Sequence, residues 1–131
     1  MNGKKKTVSI GIFAHNEAGN ITRTLDSLVS QDIFEDILSK THDIYVSVIA
    51  NGCTDSTVEI SQVYLKKNPK IVGKVLKIDK PGKSNAWNEF IHSADSQLVD
   101  YFVCMDSDIT FGNCNVISSL LDALANSNEA Y

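Results

Sequence analysis

Thr7–Glu17 reads TVSIGIFAHNE: an apolar, β-branched run that stops abruptly at Ala14-His15-Asn16-Glu17. A short continuous apolar run with a polar end is the pattern of a strand buried on both faces, as parallel sheets require. Three more runs repeat it. Ile44–Ala50 (IYVSVIA) ends in Asn51-Gly52-Cys53-Thr54-Asp55, Lys74–Ile78 (KVLKI) leads to Lys80-Pro81-Gly82-Lys83, and Val99–Met105 (VDYFVCM) ends in Asp106-Ser107-Asp108.

Helical periodicity fills the gaps. Ile21, Leu25, Leu28 and Val29 recur at one-face spacing after Asn16 or Asn20 as a cap. Thr54 or Ser56 is placed to cap a second helix running to about Lys67, ahead of Pro69. Ala86, Trp87, Phe90, Ile91 and Ala94 mark a third apolar face, which puts Trp87 in the core. Ile117, Leu120, Leu121 and Leu124 mark a fourth, capped by Asn113 or Asn115. The order β-α-β-α-β-α-β-α predicts an α/β fold: a Rossmann-like three-layer α/β/α sandwich with a mostly parallel sheet. Its ligand belongs outside the carboxyl ends of the strands.

The 131 residues fit one domain, 1–131, and 43% apolar with 21% charged residues excludes a disordered chain. No apolar run nears the ~20 residues of a bilayer span, and no secretion signal follows the basic Met1–Lys6. Cys53, Cys104 and Cys114 are odd in number and lack CxxC spacing, which fits a reduced, cytoplasmic protein rather than a disulfide scaffold or zinc site. Residues 1–83 hold all 12 Lys and Arg and 9 acids, a charge of +3. Residues 84–131 hold 7 acids and no Lys or Arg, so they carry −7 of the total −4. The segregation reads either as solvated faces or as a basic wall for an anion facing an acidic wall for a cation. The net negative charge speaks against nucleic acid as a partner.

Four polar clusters on one sheet edge carry the functional reading. Asp106 and Asp108 leave a strand at i and i+2, so they project to one side. Two carboxylates there call for a compensating cation, and Mg²⁺ suits one or two carboxylates completed by water and phosphates. The bland alternative is a hydrated Asx turn; the buried run ahead of the pair favours metal. Lys83 follows Gly82 at a helix start, where anions are attracted, without the lead of a Walker loop. Asn51 is either a turn residue or an amide that pairs with a base edge. Glu17 is either a favourable first-turn acid or an acceptor for ribose hydroxyls. His15 has no accompanying nucleophile motif such as GxSxG, and His42 and His92 read as solvent-facing.

Taken together, VSIGIFAHNE (Val8–Glu17), VIANGCTDST (Val48–Thr57), GKSNAWN (Gly82–Asn88) and VCMDSD (Val103–Asp108) resemble glycosyltransferase family 2, whose catalytic domain has the GT-A fold. The resemblance covers nearly the whole chain, as its N-terminal, nucleotide-sugar-binding part. It implies an inverting, metal-dependent glycosyltransferase with a nucleotide-sugar donor, most often a UDP-sugar, and Mg²⁺ or Mn²⁺. By matching position, Ala14, His15, Asn16 and Glu17 contact the nucleoside, with Glu17 near the ribose. Asn51 faces the base and Lys83 the diphosphate. Asp106, with Ser107 beside it, approaches ribose and metal, and Asp108 ligates the metal. The family commonly has Pro at the place of Ala14 and paired Asp at Ala50-Asn51, so the base here is open between uracil and others. It also continues well past this length. The acceptor site and a carboxylate general base are therefore expected beyond Tyr131, with any membrane attachment. Unpaired sheet edges point to self-association. The acceptor, whether glycan, lipid or protein, is not encoded in these motifs. Two other functions compete: a non-catalytic nucleotide-sugar-binding module, and a sugar nucleotidyltransferase. The latter wants a Gly-rich, Arg-containing first loop that AHNEAGN lacks.

Overall fold

The computed structural model describes residues 5–35, 41–80, 82–93 and 99–127. Four strands form one sheet: β1 (Lys6–Ala14), β2 (His42–Asn51), β3 (Val72–Ile78) and β4 (Tyr101–Asp106). Each strand extends one or two residues beyond its apolar run or starts inside it. Four helices alternate with them: α1 (Ile21–Val29), α2 (Thr57–Lys67), α3 (Lys83–Ser93) and α4 (Val116–Ala125). Ala94 and Pro81 lie outside the described residues.

The sheet order is β3-β2-β1-β4, with every neighbouring pair parallel. Ala14 pairs with Ala50 and Phe13 with Asp106, so the polar ends of β1, β2 and β4 lie side by side. The chain winds outward from β1 through β2 to β3, then returns to add β4 on the other side of β1. That reversal is a topological switch point, where open α/β sheets bind ligands.

Side-chain alternation along the strands makes two cores. Val8, Ile10, Ile12 and Ala14 of β1 face Ile21, Leu25 and Leu28 of α1, Leu65 of α2, and Ile117 and Leu121 of α4. On the other face, Phe90 and Ala86 of α3 pack with Ile49, Ile78, Phe13 and Phe102. The molecule is thus the expected three-layer α/β/α sandwich, with α3 the one described helix on the second face.

Three sequence expectations change here. Trp87 is 46% exposed and stacks on Phe13 with ring centroids 6.3 Å apart, so it is not a core residue. Leu120 and Leu124 are also well exposed, because α4 turns only Ile117 and Leu121 inward. Asn20, Ser56 and Asn115 stand at the helix starts, yet none caps a backbone N–H of its own helix with its side chain. The start of α4 is held instead by Gln31, which is fully buried. Its Oε1 accepts the Ile117 N–H at 3.1 Å and its Nε2 donates to the Asn113 carbonyl at 2.7 Å. Gln31 adjoins a 3₁₀ turn, Asp32–Phe34, that periodicity does not show.

Gly11 sits where Phe90 crosses β1: a Cβ there would lie 2.8 Å from the Phe90 ring. Gly11→Ala is expected to cost about 1–3 kcal/mol by overpacking, measured by urea denaturation. An unchanged midpoint would show that Phe90 can move aside.

Candidate functional site

A hollow of about 310 Å³ opens where β1, β2 and β4 end. From β1 come Phe13 and Ala14, then His15 and Glu17 from the loop that follows. β2 contributes Asn51, and α3 contributes Lys83 from its first turn. β4 and the turn after it contribute Asp106, Ser107 and Asp108. Every residue named from sequence as a nucleotide or metal contact lines this hollow except Asn16. Phe13 lines it too, although its apolar strand setting marked it only as core.

Asn16 is turned away for a local reason. Its φ is 52°, a left-handed conformation that Asn tolerates better than most residues. That turn lets His15 and Glu17 both reach the hollow while the Asn16 amide points down to the neighbouring loop. There its Oδ1 accepts the N–H groups of Thr54 at 2.8 Å and Asp55 at 3.2 Å.

Asp55 returns the contact. Its Oδ2 accepts the Ala18 N–H at 3.1 Å, and its Oδ1 accepts the Thr57 N–H at 3.0 Å and the Thr57 hydroxyl. Having donated its proton, the Thr57 hydroxyl accepts the Glu17 N–H at 2.9 Å. The hydrogen bond from the Thr57 hydroxyl holds the Asp55 carboxyl below its ordinary 3.8, with smaller help from the N–H groups and against partial desolvation. A carboxyl with a depressed folded value stabilises above its unfolded value and loses that stabilisation as pH falls through the folded one. The thermal midpoint should therefore fall as pH drops below 3.8, and fall less in Asp55→Asn, as followed by circular dichroism. Equal slopes in the two proteins would remove Asp55 from this role.

At the base of the hollow, His15 Nδ1 lies 2.8 Å from the Asn51 carbonyl oxygen. An oxygen only accepts, so Nδ1 carries the proton. The Asn51 side-chain Oδ1 is buried and has no hydrogen-bond partner among the described residues. An unpaired buried acceptor is costly and asks for an N–H from outside.

The opposite end is charged. Lys83 Nζ is 3.5 Å from Asp106 Oδ1, an exposed pair of small energetic weight. Asp108 is exposed, and among the described residues no three His, Cys, Asp or Glu side chains converge on a metal position. Two carboxylates and no more is the donor set of a hard ion that completes its shell with water and phosphate oxygens. The residues therefore fit Mg²⁺ or Mn²⁺ bound with a diphosphate and do not fit a metal held by protein alone. α1 braces this end: Thr24, almost fully buried, donates its hydroxyl to the Ser107 carbonyl, and Ser27 Oγ accepts the Phe111 N–H at 2.7 Å. Sequence reasoning missed Thr24, Ser27 and Thr57 because small hydroxyl residues on helices carry no distinctive spacing.

No described helix is long and apolar enough to cross a membrane. No curated protein matches the chain by sequence. Among solved structures, the mannosyltransferase PcManGT from Pyrobaculum calidifontis, in complex with GDP-Man and Mn²⁺, superposes with a TM-score of 0.80 at 22% identity. That match covers 94% of this chain and 33% of PcManGT. TarS from S. aureus aligns at TM-score 0.71 and 22% identity, over 91% of this chain and 19% of TarS. A complex of TarS 1–349 with UDP-GlcNAc aligns at 0.65 and 27% identity, over 91% of this chain and 30% of that one. The chain thus spans about a third or less of these proteins. Their shared GT-A architecture matches the parallel sheet and flanking helices of this chain. A family model, Glycosyl transferase family 2, matches residues 9–130, nearly all the elements that build the hollow, and the chain belongs to that family.

Proposed function

We propose that this chain is the donor-binding half of an inverting, metal-dependent glycosyltransferase that takes a nucleotide-sugar, with UDP-sugar the first choice of donor. The observation that carries this reading is the placement of two complementary chemistries across one hollow: the buried Asn51 Oδ1, without a donor among the described residues, at the β2 end, and the carboxylates of Asp106 and Asp108 at the β4 end. Two strand spacings, about 10 Å, separate those ends, leaving room for base, ribose and diphosphate in that order.

Asn51 Oδ1 accepts an N–H from the base edge. Uracil N3–H and guanine N1–H meet that demand from the ring itself, whereas cytosine and adenine meet it only with an exocyclic amino group. Glu17 accepts from the ribose hydroxyls, its Oε1 steadied by the Asn20 Nδ2 at 3.1 Å. Asp108, with Asp106, would hold the divalent ion, which supplies Lewis-acid stabilisation of the departing diphosphate when bound. Lys83 then exchanges its Asp106 partner for a phosphate oxygen at the start of α3.

In the reaction, an acceptor hydroxyl attacks the anomeric carbon as the bond to the diphosphate breaks, inverting the configuration. The hydroxyl proton goes to a base. Each carboxylate of the hollow already has a task, so the base and the acceptor site are proposed to lie outside these 131 residues.

Calorimetric titration of UDP, GDP and CDP with and without Mn²⁺ tests the reading. Metal-dependent binding of UDP or GDP and weak binding of CDP is the expected result. Equal binding of all three, or binding indifferent to Mn²⁺, would overturn it. A donor bound but neither transferred nor hydrolysed by the full-length protein would favour the non-catalytic module.

A further inference from the structure

We infer that Asn16, Asp55 and Thr57 are positioning residues that clasp the two loops beside the hollow, and that they set ligand affinity without touching the ligand. This rests on the donor-site reading above for the identity of the ligand, but the clasp itself does not.

The loops in question are 15–20 after β1 and 51–56 after β2. Strand pairing stops at Ala14 and Ala50–Asn51; just past it the Gly52 N–H still donates to the Ile78 carbonyl at 2.7 Å, and the rest of both loops lies beyond the sheet ladder. What fixes them is reciprocal. The first loop sends Asn16 to two N–H groups of the second and His15 Nδ1 to the Asn51 carbonyl. In return, the second loop sends Asp55 to the Ala18 N–H, and Thr57 at the start of α2 takes the Glu17 N–H. Thr57 is fully buried and reaches the hollow only through Glu17.

The geometry divides the labour. His15 and Glu17 line the hollow, and Asn16 between them does not. A left-handed residue is costly unless its surroundings hold it, and the two N–H groups from the partner loop do so. Release of the clasp frees the Glu17 backbone, so a ligand must first reorder the wall it binds. That ordering cost appears as lost affinity.

The test pairs Thr57→Val with Thr57→Ser, and adds Asn16→Gly. Valine keeps the shape and removes both hydrogen bonds of the hydroxyl, whereas serine keeps them. Asn16→Gly keeps the left-handed turn and removes the amide. Two readouts are taken: affinity for UDP and GDP with Mn²⁺, and amide hydrogen exchange residue by residue.

Thr57→Val and Asn16→Gly are expected to bind about tenfold more weakly, with Thr57→Ser within about threefold of the wild type. The Glu17 and Ala18 amides should exchange at least about tenfold faster in the two weak variants, while those of Val46 and Val48 in β2 keep their protection. Unchanged affinity with fast loop exchange would overturn the positioning role. So would equal loss in Thr57→Ser, or acceleration of the β2 amides to the same degree, which would mark a purely structural effect. If the wild-type protein binds neither nucleotide, the donor reading fails alone; loop exchange then decides the clasp, and unchanged exchange in the variants overturns it.

Discussion

In Asp108→Ala, Mn²⁺ is expected no longer to raise the affinity of the protein for UDP or GDP. The two carboxylates at the β4 end form a minimal donor set, and no third ligating side chain joins them among the described residues. On the donor-site reading proposed above, the two carboxylates would hold the ion together with diphosphate oxygens, so losing one of them would remove half of the protein's share of its ligands. The loss should exceed the 10–100-fold typical of removing a residue that only supports a ligand. Asp106→Asn should behave differently. It removes the partner of Lys83 as well as one metal oxygen, so the freed ammonium partly compensates at the diphosphate. Metal-free binding should therefore tighten in Asp106→Asn while metal-dependent binding falls. Titration with and without Mn²⁺ reads both numbers. An Asp108→Ala protein that still gains affinity from Mn²⁺ would move the metal elsewhere.

Much of this site was legible because strand ends are loud in sequence. β1, β2 and β4 are β-branched or aromatic runs that stop at Asn, Asp or His, and parallel order then aligns those stops on one edge. What the sequence hid was direction. The family resemblance makes Asn16 a ligand contact, but an amide in a polar loop has no orientation until its φ is known. At 52° it faces the second loop. Asp55 and Thr57 read as an ordinary turn into a helix, which they are, but the bonds that matter cross to a loop about 40 residues away in sequence. Helical period misplaced Trp87, Leu120 and Leu124 for a related reason. Periodicity defines a face about 100° wide, whereas the sheet covers only the part it can reach. Residues at the margin of the stripe, such as Leu120, stay exposed.

Phe90→Ala is expected to remove about 3–5 kcal/mol of stability, a large share of what a domain this size has. Among the described helices α3 alone covers the face it serves, and Phe90 is fully buried as the largest side chain of that core. It meets Phe13 edge-on at 5.9 Å and Phe102 at 5.6 Å, so one substitution removes two aromatic contacts and opens a cavity above Gly11. Gly11 supplies the internal control. The cost of Gly11→Ala comes from the Phe90 ring, so in a Phe90→Ala background the added methyl enters the vacated space. The double variant should then be no less stable than Phe90→Ala alone, a non-additivity that urea denaturation of the four proteins measures directly. Additive costs would mean that alanine at position 11 strains the strand itself. The effect should also reach the hollow. Phe13 bridges Phe90 and Trp87 and forms part of the hollow's wall. A Phe90→Ala protein kept folded at low temperature should therefore bind nucleotide more weakly, although the substituted residue lies on α3 away from every charged group of the site.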